Sequence, residues 1–495
     1  MKHLLIRPPD PMGMVDILSH TEPTNIGYVA SYAISKGFEI DIWDYEKEPF
    51  HAKGFLERLE AYSPVVVGLS CMTPTIINGH KIAQLIKTYF PEITVVVGGA
   101  HSSALPVQTL EEFQSFDLVI NQEGEATFSE ILDYSQSLDP LTNIPGTTWR
   151  NGGEALIEPS RGFIDNLDDI PFPARELYHG RAQLTGHSSR GFSNKLRTTE
   201  IFTSRGCPYQ CTFCAIAATF DRTLRFRSMD NISEEISEVI KRYAIQHFVI
   251  ADDTFGLKKG RLELLCDVFK THNVNSWSCD TRIDAVDKRS LQLMRDAGCT
   301  KVAFGIETGS QRVTNLNEKK IDLNNVEQVI RWANESGIRH VEANFIVGSH
   351  PDEKLEDLEA TRKLLQKLPL SFISVSITVP YPGTPNFTYM NNRQFINSKD
   401  WSKYVMFGQT PDWCTTHFSS DDLLAYQKRL SRSFYLRPSY ISRMLKSIRS
   451  TEELRYYSKS GLAFLKWLTG INLVRQGQAE MDLETTGFVQ QSISS

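Results

Sequence analysis

Short runs of apolar, β-prone residues recur along residues 1–385, and stretches with apolar residues at helical spacing separate them. Five such runs fall within residues 1–140 and six within residues 200–385. Strands that alternate with helices along a chain form parallel sheets whose faces are covered by those helices. The alternation therefore predicts an α/β protein built from two successive domains.

The first series predicts a doubly wound sheet of five strands in residues 1–140, of the flavodoxin or Rossmann type. Folds of this kind bind ligands at the carboxyl ends of their strands. No Gly-x-Gly-x-x-Gly follows the first strand, which argues against a dinucleotide site. The predicted strands are 3–6, 39–43, 65–68, 94–97 and 117–120.

The second series, in residues 196–390, predicts a partial (β/α)6 barrel with its chemistry again at the carboxyl ends of the strands. Residues 141–195 have weak periodicity and many turn residues, which is typical of an extended linker. Residues 391–495 are mostly helical in pattern. The predicted barrel strands are 201–203, 247–250, 276–279, 302–304, 340–347 and 372–379.

Charge and hydropathy narrow the classes of partner. The chain of 495 residues has a formal net charge of −6, so it offers no overall basic field to hold a nucleic acid. No apolar run approaches the ~20 residues of a membrane span, and the N-terminus lacks the apolar core of a secretory signal. These features predict a cytoplasmic protein without an integral membrane segment.

Three of the eight cysteines lie close together, and the other five are scattered through segments where Cys is usually a small core residue. Cys207, Cys211 and Cys214 follow the first predicted barrel strand with the spacing Cys-x-x-x-Cys-x-x-Cys. Three thiolates on one short loop can converge on one inorganic centre. A structural zinc site normally takes four protein ligands. The triplet therefore favours an iron–sulfur cluster with one iron free of protein ligands, and zinc or inert thiols are the alternatives.

This loop resembles that of the radical S-adenosylmethionine (SAM) superfamily, and the resemblance covers residues 195–390. It also rests on the strand ends 252–255, 305–310 and 380–385. In that family the cysteines hold a 4Fe–4S cluster whose open iron chelates the amino and carboxylate groups of SAM. The resemblance implies cluster ligation by Cys207, Cys211 and Cys214, and SAM contacts at Phe213, Asp253, Arg282 and Glu307.

Each of these SAM contacts has a structural alternative. Phe213 could cap the barrel core instead of packing near the adenine. Arg282 and Glu307 could pair with each other or with Asp253, because ion networks also form inside barrels. A functional arginine would favour a carboxylate, and a functional glutamate would accept hydrogen bonds from ribose hydroxyls.

The N-terminal domain resembles the cobalamin-binding domain that often precedes such a barrel. The resemblance rests on residues 97–101, 124–125 and 170–175. Glycines let the backbone approach a flat corrin, and small hydroxyl residues can bond to its nucleotide tail. The Asp-x-His-x-x-Gly signature that supplies a cobalt-ligating histidine in cobalamin mutases is absent. The resemblance implies cobalamin contacts at Ser70, Thr73, Gly98, Gly99, His101, Gly124 and Glu125.

Two alternatives apply to this domain. His101 could be a strand-end histidine that hydrogen-bonds to a neighbouring loop. The whole domain could be a degenerate corrinoid fold that is kept for packing.

Residues 428–459 contain nine basic and two acidic side chains, with aromatic residues between them. A basic amphipathic stretch can mark an anionic membrane surface or an acidic partner. The structural alternative is a face that is merely solvated or that anchors helices on the flank of the barrel.

These resemblances imply a cobalamin-dependent radical SAM methyltransferase that acts on an unactivated carbon, or a phosphorus, centre of a small biosynthetic intermediate. In that reaction one SAM methylates reduced cobalamin, and a second, cleaved at the cluster, yields the radical that abstracts a substrate hydrogen. The expected cofactors are a 4Fe–4S cluster, SAM and cobalamin, and the expected electron donor is a flavodoxin or ferredoxin. A radical SAM cyclase or ring-rearranging enzyme of the anaerobic tetrapyrrole cyclase type is the runner-up. A corrinoid-binding sensor or electron carrier is the alternative without catalysis.

Overall fold

The computed structural model describes residues 1–10, 22–46, 48–137, 142–179, 196–407, 410–469, 481–486 and 488. Parts of the predicted linker, including 180–195, and of the predicted helical region lie outside the described residues. The strands are β1 (Lys2–Arg7), β2 (Glu39–Asp44), β3 (Pro64–Ser70), β4 (Thr94–Gly98), β5 (Leu118–Ile120), β6 (Thr147–Asn151), β7 (Glu154–Ile157), β8 (Thr198–Ile201), β9 (Ser204–Arg205), β10 (Arg225–Phe226), β11 (His247–Phe255), β12 (Trp277–Arg282), β13 (Cys299–Glu307), β14 (His340–Val347) and β15 (Phe372–Ile377). The helices are α1 (Thr24–Ser35), α2 (Ala52–Tyr62), α3 (Ile76–Tyr89), α4 (Ala100–Ala104), α5 (Pro106–Glu112), α6 (Glu125–Ser137), α7 (Glu176–His179), α8 (Ile216–Phe220), α9 (Met229–Tyr243), α10 (Lys259–Thr271), α11 (Lys288–Asp296), α12 (Gln311–Leu316), α13 (Val326–Glu335), α14 (Leu355–Lys367), α15 (Pro385–Asn392), α16 (Ser420–Tyr435), α17 (Pro438–Ser447) and α18 (Thr451–Leu468).

The first seven strands form one sheet in the order β2-β1-β3-β4-β5-β6-β7. β1 to β5 are parallel, as the sequence predicts, and their order is that of a flavodoxin-like doubly wound sheet. The strands are recognisable in the sequence because parallel strands covered on both faces are continuous apolar runs, such as the buried Val95, Val96 and Val97. The carboxyl ends of β1 and β3 flank the point where the strand order reverses, which is where such folds bind ligands.

An antiparallel hairpin of β6 and β7 extends this sheet beyond the five predicted strands. The hairpin comes from the segment for which the sequence predicts a linker. Thr147 and Thr148 are buried but polar, so no apolar run marks the strand. Arg150 fastens the hairpin to the domain by donating to the carbonyl oxygens of Phe113 and Phe116.

The second sheet has six parallel strands in the order β8-β11-β12-β13-β14-β15. Among the described strands no pairing joins β8 to β15, so the barrel is partial, as predicted. β8 ends at Ile201, where the predicted first strand begins. β9 and β10 form a separate antiparallel ribbon, and β9 leads directly into the cysteine loop.

The motif 170–175 ends on an arginine that joins the linker to the barrel. Arg175 is buried; its Nη2 lies 2.7 Å from Oε1 of Glu235 on α9, and its Nε donates to Oγ1 of Thr199 on β8 at 3.1 Å. Arg227 Nη1 lies 2.5 Å from the second Glu235 oxygen. Burial raises the pKa of Glu235, but Arg227 and Arg175 outweigh this effect and hold the pKa below its usual range. Glu235 therefore stays ionised and fixes the linker on the barrel.

The region after the barrel is mostly helical, as predicted, and it contacts both domains. Trp401 Nε1 donates to Oε2 of Glu112 on α5 at 2.8 Å. Arg437 donates to the carbonyl oxygens of Leu365 and Gln366 at the end of α14. Arg437 therefore anchors a helix on the flank of the barrel, which is the structural alternative considered above for the basic residues 428–459. None of the helices in the described ranges is long and apolar enough to cross a membrane.

Candidate active site

The loop that carries the three cysteines runs from β9 to α8 and begins at a position that requires glycine. Gly206 has φ +88°, and a Cβ on it would overlap a backbone carbonyl oxygen of the turn before β10. Its amide donates to Oδ2 of Asp253, at the end of β11, at 2.7 Å. Thr212 N donates to the carbonyl oxygen of Asn317 at 3.1 Å, and Asn386 N donates to that of Thr212 at 3.1 Å. The loop is thus fixed by β11, by the segment after α12 and by the start of α15.

Cys207, Cys211 and Cys214 are half-buried and line one cavity of about 260 Å³. No fourth Cys, His, Asp or Glu is among the residues that line it. In the part of the chain that the structure describes, no three His, Cys, Asp or Glu side chains are grouped to hold a single metal ion. Three thiols around a shared space fit a cluster with one iron free of protein ligands better than a closed zinc site with four ligands.

Burial favours the protonated form of two of the three thiols of this loop. Burial raises the pKa of Cys211 and raises that of Cys214 to about 11. Both thiols are therefore protonated at neutral pH, and a metal centre held by them would have to displace their protons. Oγ1 of Thr254 lies 2.9 Å from Sγ of Cys207 and 2.7 Å from the carbonyl oxygen of Asp253, and its hydroxyl can donate to either acceptor. Because hydrogen bonds to sulfur shift the potential of an iron–sulfur cluster, Thr254 would influence a cluster held by Cys207.

Glu307 and Phe213, two of the predicted SAM contacts, lie around a buried lysine. Glu307 ends β13 with φ +68°, a strained conformation for a residue other than glycine. Its Oε1 accepts a hydrogen bond from Nζ of Lys319 at 2.6 Å, and this Nζ lies 5.9 Å from the ring centre of Phe213. The structure thus brings an anion, a cation and an aromatic face together beside the cysteine loop.

Arg282 and Asp253, the other two predicted SAM contacts, also lie at this loop. The Arg282 guanidinium lies 3.6 Å from the ring centre of Tyr209, and its Nη2 lies 2.8 Å from Oδ2 of Asp284. Burial raises the pKa of Asp253 to about 6. Among the described residues no ion pair joins Arg282 to Glu307 or to Asp253, so the shared ion network considered from the sequence is not formed.

The predicted cobalamin contacts lie where β3, β4 and β5 end. Gly99 has φ +108°, and a Cβ on it would overlap the backbone of Cys71, so this glycine serves the close approach of two strand-end loops. Gly98 has more room, because the atom nearest its Cβ position is Cβ of Ile120 at 3.7 Å. Three more residues predicted to contact cobalamin lie at these strand ends. Thr73 is buried, and Oγ of Ser70 accepts a hydrogen bond from Asn25. A Cβ on Gly124 would lie 3.5 Å from Val29.

His101 and Glu125 have protein partners in this structure. The buried His101 ring packs edge-on against Trp401 with 5.0 Å between ring centres, and burial lowers its pKa to about 4. Glu125 Oε1 lies 2.6 Å from Nη2 of Arg205 on β9, and Glu123 Oε1 lies 2.9 Å from Nη1 of the same arginine. Glu125 therefore joins the N-terminal domain to the residue that precedes the cysteine loop.

The strand ends of the two domains meet at one point. A Cβ on Gly383, in the turn before α15, would lie 3.0 Å from Cβ of Ala218 on α8 and 3.2 Å from Cβ of Ala104 on α4. α4 follows Gly98 and Gly99 directly, and α8 follows the third cysteine. The ligand-binding edge of the N-terminal sheet therefore lies beside the cysteine loop of the barrel.

Two family models match the chain across these elements. Residues 201–365 match the Radical SAM superfamily, and residues 13–132 match the B12 binding domain. The chain is a B12-binding radical SAM protein. The cofactors of this architecture are a 4Fe–4S cluster, SAM and cobalamin, in agreement with the cofactors expected from the sequence.

This B12-binding radical SAM protein is similar to relatives over most of its length. It is 29% identical to an uncharacterized methyltransferase of Pyrococcus horikoshii, over 89% of this chain and 94% of the relative. It is 26% identical to the cytidylyl-2-hydroxyethylphosphonate methyltransferase of Streptomyces wedmorensis, over 81% of this chain and 83% of the relative. It is 24% identical to the anaerobic magnesium-protoporphyrin IX monomethyl ester cyclase of Rubrivivax gelatinosus, over 82% of this chain and 72% of the relative. Its fold matches that of the cobalamin-dependent SAM radical enzyme OxsB, with a TM-score of 0.73, 16% identity and coverage of 95% of this chain and 72% of that one.

Sequence reasoning did not single out three residues of this B12-binding radical SAM protein. Lys319 lies in a polar stretch that looks solvated in the sequence, although the structure buries it. Thr254 belongs to a matched strand end but has no charge or motif position of its own. For Arg205 the sequence carries a signal, because it directly precedes the glycine of the cysteine loop.

Proposed function

We propose that this protein is a cobalamin-dependent radical SAM methyltransferase that acts on an unactivated carbon, or a phosphorus, centre of a small biosynthetic intermediate. The observation that carries the proposal is the contact of α4 with α8, which joins the ligand-binding edge of the N-terminal sheet to the cysteine loop. Methyl transfer through a corrin requires both cofactors to face one substrate. The similarity to two methyltransferases over most of the chain supports this function.

The chain supplies ligands for the cluster and charges for SAM. In our proposal the cluster is held by Cys207, Cys211 and Cys214, and SAM lies against Asp253, Arg282, Glu307 and Phe213. Lys319 offers a cation for the SAM carboxylate, Glu307 offers an acceptor for its hydroxyl or amino groups, and Phe213 offers an aromatic face for its adenine. When bound, the cluster supplies the electron that cleaves SAM and the corrin carries the methyl group.

We propose that the corrin is contacted by residues at the strand ends of the N-terminal sheet. Gly98, where a Cβ would make only an ordinary contact with Cβ of Ile120 at 3.7 Å, suits the approach of a ring. Ser70 and Thr73 suit hydrogen bonds to its nucleotide tail. Glu123 and Glu125, paired with Arg205, hold the two domains together beside this edge.

The reaction needs an electron from outside the chain, for which we propose a flavodoxin or ferredoxin. We place the protein in the cytoplasm, where reducing systems keep free thiols such as Cys207 reduced. Nucleic acid is not a proposed partner, because the net charge of −6 provides no overall attraction for a polyanion.

The test is turnover of the anaerobically reconstituted protein with SAM labelled at its methyl carbon. Two SAM molecules are consumed by different routes, so S-adenosylhomocysteine and 5′-deoxyadenosine should form in comparable amounts, and the product should carry the label. The variant Cys214→Ala should form no 5′-deoxyadenosine. Cys414→Ala, at a free and equally half-buried cysteine away from the loop, should behave as the wild type. An unlabelled product formed together with 5′-deoxyadenosine would contradict methyl transfer.

The second candidate function is that of a radical SAM cyclase or ring-rearranging enzyme, which the similarity to the Rubrivivax gelatinosus cyclase favours. A cyclase would give 5′-deoxyadenosine and a product lighter by hydrogen or heavier by oxygen, without the methyl label. A corrinoid sensor or electron carrier would cleave no SAM and would not need the charges of Glu307, Lys319 and Arg282 beside the cysteine loop. The same labelling experiment therefore separates all three functions.

A further inference from the structure

The helices α17 and α18 carry a concentration of positive charge on an otherwise acidic protein. Residues 438–469 contain six basic and two acidic side chains, whereas the whole chain has a net charge of −6. Of the acidic pair, Glu453 is already bound by Arg339 on the barrel flank. The exposed basic side chains of these helices and of the turn between them are Lys446, Arg449, Arg455, Lys459 and Lys466.

α18 lies on the protein with one face and leaves an apolar stripe on the other. On the inner face the ring of Phe464 packs against Tyr435 of α16, with 5.0 Å between ring centres. On the outer face Leu454, Leu462 and Leu465 are 49%, 56% and 49% exposed. At 3.6 residues per turn these three leucines fall within ~80° of the helix circumference. No residue of α18 is fully buried, so this helix adds little to the core of the protein.

The basic residues border this stripe instead of being spread around the helix. Arg455, Lys459 and Lys466 fall on an adjoining arc of ~40°, next to the leucines. On α17, the helix that precedes α18 in the chain, Ile441 and Leu445 are also exposed, by 40% and 57%. A leucine stripe bordered by Lys and Arg is the arrangement of helices that lie in a bilayer interface, where the long basic side chains reach the headgroups while the leucines enter the acyl boundary.

We propose that α17 and α18 seat this protein on the surface of an anionic lipid bilayer. The exposed leucines enter the boundary between headgroups and acyl chains, and the five exposed cations contact the lipid phosphates. The attachment is peripheral and reversible, and it is weakened by salt because screening shortens the reach of each charge. This surface is separate from the cysteine loop, so the inference does not depend on the proposed reaction.

The test is flotation of the full chain with vesicles of phosphatidylcholine alone and of phosphatidylcholine mixed with phosphatidylglycerol. Binding should require phosphatidylglycerol and should be lost in high salt. The triple variant Leu454→Ser, Leu462→Ser and Leu465→Ser should bind at least about tenfold more weakly. The double variant Lys459→Gln and Lys466→Gln should lose about fivefold in binding per charge removed.

Two exposed leucines elsewhere provide the matched control. Leu264 on α10 and Leu355 on α14 are 56% and 51% exposed, and their replacement by Ser should leave vesicle binding unchanged. Cluster reconstitution and circular dichroism of every variant should equal those of the wild type, because none of the replaced side chains is buried. Equal binding to neutral vesicles, or equal loss in the control variant, would overturn the proposal. A dimer in solution that the triple variant separates into monomers would also overturn it, by assigning the stripe to a second copy of the chain.

Discussion

Replacing Glu235 with glutamine tests how the linker is fixed to the barrel. Glu235 is fully buried and lies 2.7 Å from Arg175 and 2.5 Å from Arg227. Glutamine keeps the shape of the side chain but removes its charge, which leaves two buried guanidinium groups without their carboxylate. Removing one partner from a buried ion pair costs about 3–5 kcal/mol.

The other hydrogen bonds of the two arginines place the expected loss of stability at the lower end of that range. Arg175 keeps its bonds to Oγ1 of Thr199 at 3.1 Å and to the carbonyl oxygen of Glu200 at 2.8 Å. Arg227 keeps its bond to Oδ1 of Asn231 at 2.6 Å. We therefore expect a loss of about 3 kcal/mol. With an m-value of about 2–3 kcal/mol per molar urea, the unfolding midpoint should fall by about 1–1.5 M.

The assay is urea unfolding followed by tryptophan fluorescence, with a variant on the same helix as control. Glu238 pairs with Arg242, but their side chains are 38% and 51% exposed, so Glu238→Gln should cost less than about 1 kcal/mol. The folded-state pKa of Glu235 lies below its ordinary value of 4.5. Its stabilisation is therefore present above that pH and is lost as the pH falls through the folded-state pKa. The midpoint difference between wild type and Glu235→Gln should be constant near neutral pH and shrink below pH 4.5. A midpoint for Glu235→Gln equal to that of Glu238→Gln would refute the reasoning.

Two further substitutions test the cluster loop and the edge of the N-terminal sheet. Thr254→Val removes the hydroxyl 2.9 Å from Sγ of Cys207. A hydrogen bond that is about 1 kcal/mol stronger in the reduced state raises the cluster potential, so its loss should lower that potential by about 40 mV. The measurement is a redox titration followed by electron paramagnetic resonance. An unchanged potential would assign the hydroxyl to the carbonyl oxygen of Asp253, 2.7 Å away. Gly99→Ala should lower the thermal midpoint because its Cβ would overlap the backbone of Cys71, whereas Gly98→Ala should unfold with the wild type. Equal midpoints for the two glycine variants would contradict the close approach at Gly99.

The strands could be predicted because burial leaves a local signal in the sequence. Val95, Val96 and Val97 are apolar since both faces of β4 are covered, and the same holds for the other inner strands. The hairpin of β6 and β7 lacks this signal, because it pairs antiparallel at the edge through residues such as Thr148. The cysteine loop was also predictable, since all three thiols lie within one short segment. Its three cysteines, one fewer than the ligands of a structural zinc site, favour an iron–sulfur centre over zinc.

The roles of single side chains were less predictable, because they depend on partners far along the chain. The resemblance implies a cobalamin contact at Glu125, but it gives no sign that this carboxylate also pairs with Arg205, 80 positions away in the sequence. Gly99 matches a corrin-binding glycine, but the match does not show that its missing Cβ also makes room for the backbone of Cys71. Lys319 looks like a solvated residue until β13 brings Glu307 to it. In each case the deciding contact is long-range, and no local pattern encodes it.

The ion pairs at the domain boundary bear on how cobalamin binding should be measured. Burial raises the pKa of Glu123, but Arg225 and Arg205 outweigh this effect and hold the pKa below its usual range, so this carboxylate is stabilised in its charged form by the barrel. Both arginines belong to the ribbon that frames the cysteine loop, and both glutamates follow β5. A fragment limited to residues 1–140 would therefore lose the partners of Glu123 and Glu125 at the edge where we propose that the corrin binds. Binding to the full chain, compared with an Arg205→Met variant, is thus the sharper measurement, because it changes this contact without removing the barrel.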